Sequence, residues 1–317
     1  MVITGKKPIV LNVVLTLLCA SALAVLTIYN TASSTGLVAV AIVLTLFLSQ
    51  LILVRHHARQ LQRTDRYHRL GRKLLQLKRT RKRDEKIAIK VLNHIVNQSS
   101  QSNAATAIWH KPLETFSGDL ALATTNENGI SYTLLADLTG HGIAAAMGAT
   151  PVASIFQATV RRGLSVEEIV VELNKKLTQM LPSGFFCCAA LMMCDRGRLT
   201  VCNAGLPTLL VTDEYGTITD RIDSDQLPLG IQPLDTDNVS VFTRQYTSGH
   251  QLYAYTDGLI EATNRNGKPF NEQMLETLLS VNVTPQGRLQ RMQTSFEQFV
   301  KGTQQSDDIS MVEVIIC

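Results

Sequence analysis

Five acidic side chains share one local setting, each standing where an apolar run meets a turn of small or polar residues. Asp119 closes Phe116-Ser117-Gly118-Asp119, Asp137 ends the run Ile130–Ala136, Asp257 follows Tyr255-Thr256, and Asp307-Asp308 precede the apolar Ser310–Ile316. Any one of them is more often a turn or cap, because Asp and Asp-Gly are common turn formers. As a set they say more. Clustered carboxylates repel one another and hold their protons too tightly unless a cation balances them. An all-oxygen donor set, with no His or Cys cluster beside it, suits hard octahedral ions such as magnesium or manganese. Two such ions clamp a phosphate and activate water for in-line attack, so the pattern points to divalent-metal phosphoester chemistry. Gly140 and Gly142, on either side of His141, let the backbone approach closely whatever Asp137 binds.

The elements that must position these residues are legible from periodicity. Strand-like runs occupy Ile130–Ala136, Phe185–Cys194, Arg198–Asn203, Thr208–Thr212, Thr217–Ile222, Val239–Tyr246, Gln251–Tyr255 and Ser310–Ile316. Asp195-Arg196-Gly197 and Asp213-Glu214-Tyr215-Gly216 join neighbours as hairpins. Helical patterns cover Gly142–Arg162, Ser165–Leu181, Asn271–Leu279 and Gln286–Lys301, and Ser165 with Glu168 makes a capping box. Successive hairpin strands with helices before and after predict an α+β layered sandwich rather than a parallel doubly wound sheet. On this reading Asp137 and Asp257 end strands, Asp307-Asp308 begin one, and adjacent strands gather them at one sheet edge.

Charge divides the chain of 317 residues. Arg55 to Lys90 holds 14 Lys/Arg against 3 Asp/Glu, whereas Ala107 to Cys317 holds 14 against 23. A basic neck therefore precedes an acidic body, which argues against nucleic acid as a partner. Upstream, Pro8–Tyr29 and Gly36–Val54 are uncharged, and each is long enough to cross a hydrocarbon core of roughly 30 Å as a helix. A cleaved signal peptide is the competing reading of the first run, whose apolar part is too long for one. Lys6, Lys7 and the arginines after Val54 lie on one side of both runs, so the positive-inside rule puts both termini in the cytoplasm. Residues 55–98 read as one long helix with a seam at Tyr67, Leu70, Leu74, Leu77, Arg81, Asp84, Ala88, Val91 and Ile95. That spacing predicts a homodimeric coiled coil with a polar interruption, while a basic helix lying on anionic headgroups is the alternative. The expected organisation is a two-helix membrane anchor over 1–54, a basic helical linker over 55–106 and a catalytic body over 107–317. The cysteines form no CxxC pair and read as buried thiols.

Phe116-Ser117-Gly118-Asp119, Ala136-Asp137-Leu138-Thr139-Gly140-His141-Gly142, Asn203-Ala204-Gly205, Leu227-Pro228-Leu229-Gly230-Ile231, Tyr255-Thr256-Asp257-Gly258-Leu259-Ile260-Glu261-Ala262 and Asp307-Asp308-Ile309-Ser310 occur in that order. The ordered set resembles the sporulation-type (SpoIIE-like) bacterial branch of the metal-dependent, type 2C serine/threonine protein phosphatases, over about Ile108 to Cys317. The resemblance implies a four-layer αββα sandwich with two manganese or magnesium ions at one end of its sheets. It implies that Asp137 bridges the ions, that the Leu138 carbonyl joins one, that Asp257 and Asp307 complete the other, and that Asp119 binds a metal or orients its waters. It further implies hydrolysis by metal-bound hydroxide with no phosphoenzyme, and a phosphoprotein substrate such as an anti-sigma-factor antagonist. Asp308 stands as a supporting residue, and Asn203 with Gly205 as a turn shaping the floor of the site. His141 follows Asp137 by four residues, where better-known relatives place a His beside the glycine after the bridging Asp, so a packing role competes with an acid role. A membrane-anchored cytoplasmic phosphatase of the bacterial inner membrane is the resulting expectation. A catalytically silent membrane scaffold is the rival, and a small-molecule phosphoesterase a third reading.

Overall fold

The computed structural model describes residues 105–113, 117–140, 143–280 and 285–316, and before them 16–17, 19–24, 26, 42, 44–56, 59–60, 71–80 and 83. Residues 1–82 and 83–317 form two compact units. In the first, the described residues are helical, and none of the described helices is long and apolar enough to cross a membrane. The expected span 8–29 and the expected coiled coil over 55–98 lie largely outside the described residues, and the expected span 36–54 lies partly outside them.

Among its described residues, the second unit contains ten strands in two five-stranded antiparallel sheets. The strands are β1 (Thr106–Lys111), β2 (Asp119–Thr125), β3 (Ser131–Leu138), β4 (Cys187–Asp195), β5 (Arg198–Ala204), β6 (Leu209–Thr212), β7 (Ile218–Ile222), β8 (Phe242–Gln245), β9 (Gln251–Tyr255) and β10 (Ile309–Ile315). One sheet runs β1-β10-β9-β6-β7 and the other β2-β3-β4-β5-β8. The helices are α1 (Ile143–Arg161), α2 (Val166–Met180), the short α3 (Asp257–Glu261), α4 (Asn271–Leu279) and α5 (Pro285–Phe299).

Three apolar cores stack these elements into four layers, αββα. Leu134 and Ala136 of β3 pack with Phe156 of α1 and Leu173 of α2. Leu135 of the same strand faces the other way, into a core with Leu252 of β9 and Val312 of β10. Tyr253 and Met311, one residue along those strands, pack with Leu275 of α4 and Phe296 of α5. The two-residue pleat thus gives each sheet one face toward helices and one toward the other sheet. The layered sandwich expected from the sequence is what forms, and α2 carries the expected cap: Glu168 N–H donates to Ser165 Oγ, and Ser165 N–H to the Glu168 carboxylate.

Four elements depart from the expectation. β1 and β2 had not been anticipated, the predicted strand Val239–Tyr246 shrinks to Phe242–Gln245, and Asp257 opens α3 rather than ending β9. No disulfide joins the described cysteines; Cys187 and Cys202 are buried.

Candidate active site

β2 and β3 pair so that Asp119 lies directly opposite Asp137. Both have the pleat parity of Leu135 and Ala121, which pack toward the second sheet, so the two carboxylates enter the end of the inter-sheet gap. From the second sheet come the end of β9, continued by Thr256 and Asp257, and the start of β10, preceded by Asp307 and Asp308. β9 and β10 pair with Met311 opposite Tyr255, which places those two ends side by side. The expectation of one sheet edge is corrected here: the acids converge from the ends of two stacked sheets. The sandwich, not a ladder, brings them together.

Two hydroxyls of the second sheet reach across the gap. Thr256 Oγ1 donates to Asp119 Oδ2 at 3.0 Å, and the Ser310 hydroxyl also bonds the Asp119 carboxylate. Ser310 is fixed in turn, its N–H donating to Thr256 Oγ1 (3.0 Å) and its Oγ lying 2.8 Å from His110 Nδ1. Burial pushes His110 below the usual imidazole range, against the opposing pull of Asp308. Thr256, Ser310 and His110 were not singled out from the sequence. Thr256 adjoins Asp257 in one motif and Ser310 closes another, so proximity to the acids was the available signal. Removing either hydroxyl, in Thr256→Ala or Ser310→Ala, is expected to lower kcat by about 10- to 100-fold while the fold survives. Steady-state kinetics with a circular-dichroism melt checks this, and a change under twofold would reduce these hydroxyls to packing.

Asp308 does something different from its neighbour. Its Oδ1 accepts the Leu113 N–H (2.7 Å) and its Oδ2 the Gly118 N–H (2.8 Å), so both oxygens hold the chain leading into β2. Asp307 Oδ1 accepts the Asp308 N–H (2.7 Å). Gly258 of α3 packs so tightly here that a Cβ would stand 2.0 Å from the Asp308 carbonyl oxygen. Gly258→Ala is therefore expected to destabilise the fold by about 1–3 kcal/mol through overpacking and to weaken manganese binding. Urea unfolding and a metal titration measure the two effects; a variant equal to wild type in both would contradict the crowding.

Asn203 braces the turn after β5: its Nδ2 donates to the carbonyls of Leu206, Pro207 and Ile222, and its Oδ1 accepts the Leu206 N–H. Gly205, at φ +96°, lies where a Cβ would meet Cys188 Sγ at 3.0 Å, and Cys188 is opposite Asp137. The turn follows β5, which pairs with β4, the strand that carries Cys188. Gly140, at φ +91°, turns the chain after β3 as only glycine does readily. His141 and Gly142 lie outside the described residues.

Burial, opposed by the hydrogen bonds from Ser310 and Thr256 and aided by the charges of Asp308 and Asp307, moves Asp119 up to about 7. Burial and then the charges of Asp119, Asp257, Asp307 and Asp308 push Asp137 up to about 8. Burial and Asp307 raise Asp257 as well. Among the described residues, no three carboxylate, imidazole or thiol groups converge tightly enough to form a closed ligand shell. The donor set itself, carboxylates and backbone carbonyls, fits hard divalent ions.

The family described as Stage II sporulation protein E (SpoIIE) matches residues 128–316. The chain belongs to the SpoIIE family. Among curated proteins it is similar to phosphoserine phosphatase RsbP of Bacillus subtilis (strain 168), 27% identical over 201 residues that cover 59% of this chain and 48% of RsbP. The chain thus spans about half the length of that relative. Among solved structures it is similar to the SiaA-PP2C domain of Pseudomonas aeruginosa, with TM-score 0.66 and 16% identity over 76% of this chain and 98% of that one. It is also similar to the PP2C phosphatase domain, with a fragment of the regulatory domain, of SpoIIE from Bacillus subtilis. There the TM-score is 0.58 and the identity 17%, over 68% and 64% of the two chains. At such identities the structural likeness speaks to the fold. The body of this SpoIIE-family chain has the fold of PP2C-type phosphatase domains.

Proposed function

We propose that this chain is a membrane-anchored protein phosphatase that removes phosphate from phosphoserine or phosphothreonine of a regulatory protein. The two divalent ions, manganese or magnesium, are assigned to Asp119, Asp137, Asp257, Asp307 and the Leu138 carbonyl. The observation that carries this reading is the meeting of Asp119 and Asp137 from one sheet with the Asp257 and Asp307 segments from the other. Four acids at the end of a buried gap would only weaken a scaffold, whereas a phosphatase uses them. When bound, the ions supply charge that neutralises the phosphoryl oxygens and acidifies water for in-line attack.

The chain's own residues do the positioning. Asp137 stands central, since its carboxyl feels Asp119, Asp257, Asp307 and Asp308 together. Thr256 and Ser310 orient Asp119. Asp308, through Leu113 and Gly118, holds the approach to β2 in place. An anti-sigma-factor antagonist is the substrate that the family resemblance suggests.

Exposed apolar side chains support the anchor. Leu44, Leu46, Leu48, Ile52 and Leu53 are each more than half exposed on a helical stretch, and lipid would cover them. Thr16, Cys19 and Leu23 share a recess with Leu46, Phe47 and Gln50, so the two apolar segments lie side by side. Leu74, Leu75 and Leu77 are likewise exposed on the helical residues 71–80, which supports pairing of two chains through 55–98. With the orientation read from Lys6, Lys7 and the arginines after Val54, the proposed anchor puts the body in the cytoplasm of a bacterial cell, under its inner membrane.

The deciding assay uses the full-length chain in detergent with a phosphoserine peptide and p-nitrophenyl phosphate, with manganese, with magnesium and with chelator. Metal-dependent phosphate release is expected; its absence with both metals would leave the scaffold. Retention in membranes after an alkaline wash tests the anchor, and a monomeric mass in detergent would remove the dimer.

A further inference from the structure

A cleft of about 380 Å³ opens where β1 and the approach to β10 meet the C-terminal end of α5, near the lower end of the size range of ligand pockets. Lys111 and Lys301 stand on its wall with Phe296 and Thr303, and Gly258 and Asp307 line the end that it shares with the candidate active site. This continuity is built in. The Gln305 side-chain amide donates to the carbonyls of both Lys111 (2.9 Å) and Asp307 (2.7 Å), clamping the lysine's strand to the carboxylate's loop. On the other side Gly258 packs directly on the Asp308 backbone, so no side chain separates α3 from this segment. The Lys111 ammonium lies 5.8 Å from the Phe296 ring centroid, a cation–π approach that keeps the charge at the wall.

The charge of the cleft runs against that of the body, in which acids outnumber bases 23 to 14 from residue 107 onward. With divalent ions balancing Asp307 and its partners, Lys111 and Lys301 face Glu297 as the remaining acid of the lining. A net positive charge beside a phosphate-hydrolysing centre complements an acidic polypeptide. Val300, partly buried on the same wall, gives its side-chain stems an apolar surface.

Resting on the phosphatase reading above, we propose that this cleft is the subsite for the substrate polypeptide beside the phosphorylated residue, and that it selects acidic side chains there. The test uses the full-length chain with manganese and two phosphoserine peptides, one with glutamates on both sides and one with glutamines in their place. Wild type is expected to favour the glutamate peptide about tenfold in kcat/KM. Lys301→Glu, at an exposed loop position, is expected to shrink that preference, and Lys111→Glu with Lys301→Glu to erase or reverse it. Taking the ratio of the two peptides on one preparation cancels any loss of folded enzyme. No preference in wild type while both peptides turn over, or a preference that survives both variants, would overturn the subsite. If wild type hydrolyses neither peptide nor p-nitrophenyl phosphate, the phosphatase reading on which the subsite rests falls with it.

Discussion

Replacing Asp137 by Asn is expected to abolish metal-dependent hydrolysis, cutting kcat on the order of 10³-fold, while making the metal-free protein more stable. The two effects have one cause. Asp137 sits opposite Asp119 at the end of a buried gap, and its carboxyl feels the charges of four neighbouring acids. With metal, that charge is the centre's proposed bridge; without it, the charge is a cost to folding. The pH dependence follows by linkage. Asp119 and Asp137 have folded-state values of about 7 and about 8, above the usual carboxylate range. Their contribution to metal-free stability is therefore complete below pH of about 4 and is lost as pH rises through 7 to 8. Asp137→Asn should flatten that decline, and manganese should stabilise wild type more at pH 8 than at pH 5. Thermal melts across pH, with manganese or chelator, read both, alongside the peptide assay. Activity within tenfold of wild type would remove Asp137 from the centre.

The second large effect lies away from the site. Arg288 of α5 is 2% exposed and anchors the helix to the outer face of its sheet. Its Nη1 donates to Thr212 Oγ1 (3.2 Å), the Asp213 carbonyl (3.0 Å) and Gln251 Oε1 (2.6 Å), and its Nη2 to the Glu214 carbonyl. The Tyr253 hydroxyl lies 2.8 Å from both Gln251 Oε1 and Glu313 Oε1, which joins a buried carboxylate of β10 to the same group. Burial raises Glu313, while the Tyr253 hydrogen bond and the Arg288 charge pull it back down. Arg288→Ala would strand that acid and several carbonyls, and is expected to cost about 3–5 kcal/mol. Arg288→Met combined with Glu313→Gln should recover much of the loss, because the uncompensated charge goes with its partner. Urea denaturation of the single and double variants decides it; a loss under 1 kcal/mol in Arg288→Ala would show the network to be dispensable.

Local patterns carried much of this architecture into view. Seven of the eight strand-like runs match strands within two residues at each end, and Gln251–Tyr255 and Asn271–Leu279 match element for element. These segments alternate or repeat strongly enough for their period to be read. β2 escaped because Asp-Leu-Ala-Leu-Ala-Thr-Thr alternates leucine with alanine, a residue poor in strand preference, so its pleat leaves a faint mark. β1 escaped because it ends on His110-Lys111, whose polar side chains mask a strand that pairs along its whole length with β10.

What the sequence by itself determined was the composition of the site: five acids at the boundaries of apolar runs, in an order that marks the SpoIIE family. Their assembly was decided elsewhere. Asp119 and Asp137 meet because two strands pair in one register, and Asp119 reaches Thr256, 137 positions away, because two sheets stack. The same packing gave Asp308 to the backbone while leaving Asp307 at the shared end of the lysine-lined cleft. Periodicity records which face of an element is apolar, a property of neighbours two to four residues apart. Which faces then meet depends on contacts across the whole chain, and the site exists only where they do.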